Sequence, residues 1–150
     1  MGLVMEPWKP VIPTSYDSWL GVMPTGELGV GKIDEGRVTL NESRYVVIWP
    51  LLESRYQDVA NRLHEDWEYL SGRGEASPDA LIEHVVSSAW RSGRAYWMRL
   101  SAIWVIEMIQ CLGHGSEILW GILQEVSGSE TVTQETRLEA RAILAGREIP

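Results

Sequence analysis

Leu52-Glu53-Ser54-Arg55-Tyr56-Gln57-Asp58-Val59-Ala60-Asn61-Arg62-Leu63-His64-Glu65-Asp66-Trp67-Glu68-Tyr69-Leu70 is the stretch on which the reading of the fold turns. Its apolar residues Leu52, Tyr56, Val59, Leu63, Trp67 and Leu70 recur at spacings of 4, 3, 4, 4 and 3. That is one face of a helix, with the charged residues on the other side. Upstream of Pro50 the pattern is different. Trp19-Leu20-Gly21-Val22-Met23, Leu28 to Ile33, Val38-Thr39-Leu40 and Tyr45-Val46-Val47-Ile48-Trp49 are short apolar runs, broken by Pro24-Thr25-Gly26, Asp34-Glu35-Gly36 and Asn41-Glu42-Ser43. Runs of this length with turn residues between them read as strands. Tyr45 to Trp49, β-branched and aromatic throughout, gives the strongest strand signal.

Downstream of residue 70 the helical period continues. Gly72 and Gly74 predict the end of the first long helix, and Ser77-Pro78 provides an N-cap and first-turn pair for the next. Leu81, Ile82, Val85, Val86, Ala89 and Trp90 form that helix's inner face, and Gly93 breaks the chain. Tyr96 to Leu112 is apolar on nearly every side, which places it in the middle of a bundle. Glu117–Ser127 follows with Ile118, Leu119, Ile122 and Val126 turned inward. Thr131 to Gln134 has capping-box spacing ahead of a last helix that runs to about Ala145.

The expected fold is α+β and mostly α, a small antiparallel meander of three or four strands packed on a bundle of about five helices. The 150 residues read as a single domain, with a proline-rich extended arm over 1–16, the meander over 18–49 and the helical part over 51–146. A chain of this length buries roughly 68–70% of its unfolded surface and needs neither disulfide nor structural metal to fold. The N-terminus lacks a basic leader followed by an apolar run, and the most apolar stretch, Leu100 to Leu112, is short for a bilayer and contains Glu107. The expected location is the cytoplasm, away from membranes.

Charge narrows the partners. The net charge is −8, with 12 acids and 7 bases over residues 1–75 and 9 acids and 6 bases over 76–150. Such a chain repels phosphate backbones, so nucleic acid is not an expected partner, whereas a basic protein is. Eight Trp, five Tyr and no Phe favour side chains with an apolar body and a polar tip, suited to a contact surface or to a core that reaches outward.

The motifs for chemistry are incomplete. Gly26-Glu27-Leu28-Gly29-Val30-Gly31-Lys32 has the first seven positions of a phosphate-binding loop. Position 33 is Ile rather than a metal-binding hydroxyl, and Asp34-Glu35-Gly36 opposes a helix start, so the stretch reads as a glycine-rich hairpin. Cys111 and His114 make one two-ligand spacing with no second pair, and His64-Glu65 lacks the second histidine of a zinc helix. Cys111 reads as a small buried hydrophobe, and His84 as an ordinary polar residue. No cofactor, metal or catalytic residue is expected. Arg91, Arg94 and Arg99 form the one basic cluster, of a kind that bridges helices or pairs with Glu83 and Glu107.

The acidic side of the first long helix is the feature that points to a function. Glu53, Asp58, Glu65, Asp66 and Glu68 face only Arg55 and Arg62 there, and Asp34, Glu35 and Glu42 lie in the meander. A negative field of this kind speeds encounter with a cationic protein, and Trp67 and Tyr69 are of the residue types that anchor interfaces. The reading is a bacterial immunity or antitoxin protein that occludes a basic toxin, in one form a nuclease, with carboxylates where substrate phosphates would sit. An adaptor or assembly protein of a mobile element or multiprotein machine, and a small enzyme without a recognisable motif, are the alternatives.

Overall fold

The computed structural model describes residues 7–70, 75 and 77–148. Four antiparallel strands precede seven helices among the described residues, so the fold is α+β and mostly α. The chain divides into two units, Met1–Val85 and Val86–Pro150.

The first unit holds the sheet, with strands β1 (Lys9–Ser15), β2 (Ser18–Val22), β3 (Leu28–Gly31) and β4 (Gly36–Thr39) in sequential order. The first strand lies in what the sequence presents as an extended arm. Pro10 and Pro13 do not prevent pairing because β1 is an edge strand, where a missing N–H is tolerated, and the pairing with β2 is irregular beside each proline. Ile12 and Thr14 are buried, and the strand packs against the segments over Val46–Glu53 and Tyr56–Leu70. Tyr16 and Asp17 form the tight β1–β2 turn, Asp17 taking the left-handed backbone that aspartate tolerates. The phosphate-loop-like stretch is a turn followed by β3, and no helix begins after Lys32. Gly31 is required there by proximity, since a Cβ would stand 2.1 Å from the Glu35 carbonyl oxygen.

After β4 the structure departs from the expected strand at Tyr45–Trp49. Thr39 Oγ1 accepts from Glu42 N and starts a one-turn helix, α1 (Leu40–Ser43). Arg44 and Tyr45 are then both left-handed, with φ of 53° and 69°, and the chain reverses into a 3-10 helix over Val46–Glu53. Strand preference is largely a preference for a half-buried pleated surface, and here a different surface supplies the burial. Ile48, Trp49, Leu51 and Leu52 are all buried in the coiled segment, which accommodates Pro50.

The next element, α2 (Tyr56–Leu70), has the expected face, with Tyr56, Val59, Ala60, Leu63 and Leu70 buried. The proposed stop at Gly72 and Gly74 lies outside the described residues. Ser77 caps α3 (Pro78–Trp90) by accepting from Ala80 N at 3.1 Å, as its sequence implies. Leu81, Ile82 and Val85 complete the core residues of the first unit.

The second unit contains the end of α3, α4 (Ala95–Leu112), α5 (Glu117–Val126) and α6 (Gln134–Glu148). Gly93 and Gly113, both left-handed, bracket α4, and the Gly113 N–H bonds to the Ile109 carbonyl. Ser116 caps α5 through Leu119 N. The cap of α6 is Thr133, accepting from Thr136 N, two residues later than the capping-box spacing implies, and the helix continues through Gly146. α4, α5 and α6 touch pairwise around Trp104, Val105, Met108, Leu119, Leu123, Val126 and Ala140. Trp90 is buried and donates its indole N–H to Glu125 at 2.6 Å. Three expectations fail here: Cys111 is exposed rather than buried, Ile118 is exposed while Leu123 takes its place inside, and α4 is not surrounded on every side, since Tyr96 and Ile103 are exposed. Cys111 sits in the last turn of α4, where the bundle no longer surrounds the helix. No helix among the described residues is long and apolar enough to cross a membrane.

Candidate functional site

Successive residues of a helix are turned by about 100°, so on α2 Asp58, Glu65 and Tyr69 fall within roughly 40° of one another, opposite the buried face. All three are exposed, Tyr69 at 62%. The side chains of Asp58 and Glu65 have no hydrogen bond or ion pair among the described residues. Arg62 lies on the same side, but its Nε is 3.0 Å from Asp66 Oδ2, one turn on, and these two charges offset each other. Glu68 is exposed and lies roughly 80° from Asp58 around the helix. Glu53 is exposed at the end of the 3-10 helix, before α2 begins. The acidic residues of the helix are thus spread over a broad arc, and the continuous part of the stripe is Asp58, Glu65 and Tyr69. Trp67 does not share it. It lies on the inward side and is half-buried, which makes it part of the packing rather than an outward anchor.

Asp34 and Glu35 belong to another place, the β3–β4 turn. In a meander this turn and the β1–β2 turn lie at the same end of the sheet, and the 3.7 Å contact between Lys32 and Asp17 joins them. Glu35 is 3.6 Å from Arg37. Two bare hydrophobic side chains accompany them, Tyr16 at 100% and Ile33 at 55% exposure. The sheet end therefore combines carboxylates with uncovered apolar surface, a combination visible only once the hairpins are paired. Glu42 is exposed on α1.

A third group was not legible as a group in the sequence. The Tyr45 hydroxyl donates to Glu75 Oε1 at 2.5 Å and lies 3.2 Å from His84 Nδ1. His84 Nδ1 is 3.1 Å from each oxygen of the same carboxylate. The Glu75 side chain is only 5% exposed, while that of His84 is 47% exposed. Burial, then the hydrogen bond to Glu75 and its charge, push the Tyr45 phenol above the usual tyrosine range, so it stays protonated as a donor. A carboxylate beside an imidazole is half of an acid–base relay. Here the hydroxyl in contact with the pair is committed to the same carboxylate, so the group acts as a clasp. It fixes the left-handed Arg44–Tyr45 reversal to α3, across sequence separations of 30 and 39 residues.

His64 Nε2 is 3.3 Å from Asp79, linking α2 to the first turn of α3. Among the described residues no group of three or more His, Cys, Asp and Glu side chains is arranged to hold a metal ion. Arg99, from the basic cluster, donates to the Thr131 carbonyl at 2.8 Å rather than to Glu107. No family model, no curated protein and no solved structure matches this chain.

Proposed function

We propose that this chain is a non-catalytic binding protein whose α2 stripe docks a cationic surface of another protein, and that it belongs to the immunity or antitoxin class, neutralising a basic toxin by covering its active site. The single observation behind this reading is that Asp58 and Glu65 are exposed, without ion pairs among the described residues, and aligned with the exposed ring of Tyr69. Two uncompensated carboxylates attract a basic face and set its register, and the tyrosine ring adds apolar contact area. A net charge of −8 extends the attraction beyond the contact itself. In a nuclease-like toxin the carboxylates occupy positions that would otherwise accept substrate phosphates. The sheet end, with Tyr16, Ile33, Asp34 and Glu35, is the second contact.

The test is capture of the partner from the native host on immobilised protein, followed by kinetics with the purified partner and by co-expression. The association rate should fall steeply with added salt, and Asp58→Lys with Glu65→Lys should slow association by about tenfold or more. The same pair should abolish growth rescue when the partner is toxic, while leaving the unfolding temperature unchanged. A partner that binds the double variant as fast as the parent removes this surface from consideration.

A further inference from the structure

In the second unit, a cleft of about 400 Å³ lies between α4 and α6. Its apolar lining includes Ile103, Ile106 and Val132, and a shallower concavity continues past Leu138, sharing Glu135 and Glu139 with the cleft. Ile103 and Leu138 are 43% and 51% exposed, large apolar side chains left bare beside a hollow.

The charge around this lining is not balanced, and α6 itself explains why. Glu135 and Glu139 are four residues apart, and so are Arg137 and Arg141, so each column of the helix stacks like charges. Arg137 donates to the carbonyls of Ser129 and Val132, Arg141 to that of Ser127, and Arg99 to that of Thr131. The arginines are thereby committed to the loop between α5 and α6. Glu107, Glu135 and Glu139 line the cleft, their carboxylates with no ion pair or hydrogen bond among the described residues, against the one guanidinium of Arg99. The two glutamates of α6 stand one turn apart on the same column, and among the described residues neither has an ion pair.

We propose that this cleft is a docking site for a basic amphipathic segment of a partner protein, independent of the α2 stripe. An aliphatic side chain of the segment covers Ile103 and Leu138, and lysine or arginine one turn away meets Glu135 and Glu139. A second copy of this chain is a poor occupant, because it carries the same net charge of −8.

The experiment uses the full chain with labelled Ile, Leu and Val methyl groups, titrated with a helical peptide of leucine and lysine. Control peptides carry glutamate for lysine or serine for leucine. Saturable shifts at Ile103, Ile106, Val132 and Leu138, absent with both controls, are expected. Glu135→Gln with Glu139→Gln should weaken the peptide by about tenfold, the scale of two partly exposed ion pairs. Both positions are exposed, so the variant folds. Equal affinity in that variant overturns the proposal. So do shifts confined to the first unit, or shifts that follow protein concentration without peptide, which would mark self-association.

Discussion

Replacing Glu75 by alanine removes a buried carboxylate that ties a left-handed backbone reversal to a helix. The side chain is 5% exposed and accepts from the Tyr45 hydroxyl at 2.5 Å. A hydrogen bond to a charged group contributes about 1.5–3 kcal/mol. The His84 contact adds less than about 1 kcal/mol, because its ring is half in water and regains a solvent partner. Removing the carboxylate also relieves its own desolvation, which offsets part of the loss. The expected net destabilisation is about 2 kcal/mol, or about 4–8 °C in unfolding temperature for a chain of this size. The tether matters because Arg44 and Tyr45 both hold left-handed backbone, at about 1–2 kcal/mol each. Urea unfolding followed by tryptophan fluorescence measures the loss, since Trp19, Trp49 and Trp67 report on the first unit. A double-mutant cycle with Tyr45→Phe should return a coupling of about 1–2 kcal/mol. A Glu75→Ala variant within about 0.5 kcal/mol of the parent, or a coupling near zero, refutes the assignment of a shared buried acceptor.

The same clasp gives a pH dependence with a definite sign. The folded-state phenol of Tyr45 keeps its proton when the unfolded chain begins to lose it near pH ~10, so the contribution is complete below that pH and declines as pH rises above it. Urea midpoints on either side of pH ~10 should show part of that decline removed in Tyr45→Phe, and identical slopes would reject it. Thr14 is 5% exposed and its hydroxyl oxygen is buried without a hydrogen-bond partner among the described residues. Thr14→Val removes the unmet polar group at constant shape and should raise stability by about 1 kcal/mol, seen calorimetrically as an increase of about 2–4 °C. A decrease would mean that the hydroxyl has a partner.

How much of this was legible in the sequence depends on the range of the interaction. The inner face of α2 and the Ser77 cap of α3 follow from spacing and local hydrogen bonding, and both are present. The outward placement of Asp58, Glu65 and Tyr69 follows from the same helical period, and the Arg62–Asp66 pair from its four-residue spacing. Tyr45 to Trp49 misled because β-branched content measures suitability for burial, and the Arg44–Tyr45 reversal that converts this stretch into a helix has no glycine to announce it. Prolines argued against β1, yet an edge position accommodates them. The meeting of Tyr45, Glu75 and His84 had no sequence signal, since it brings Tyr45 onto a carboxylate 30 residues away and a histidine 39 residues away. The separation of the α6 charges was written in its spacing, but the carbonyls that take up the arginines are a property of the loop conformation.

The sheet's outer strands have a further consequence for the chain at high concentration. An open sheet ordinarily offers unpaired N–H and C=O groups as a template for stray chains. On β1, Pro10 and Pro13 delete two of those donors and interrupt the regular ladder. β4 is only four residues long and ends at the Thr39 cap, where the chain turns into helix, too short a rail for a foreign strand to align along. The meander can thus keep bare tyrosine and isoleucine at its tips without inviting fibrillar association through its sides.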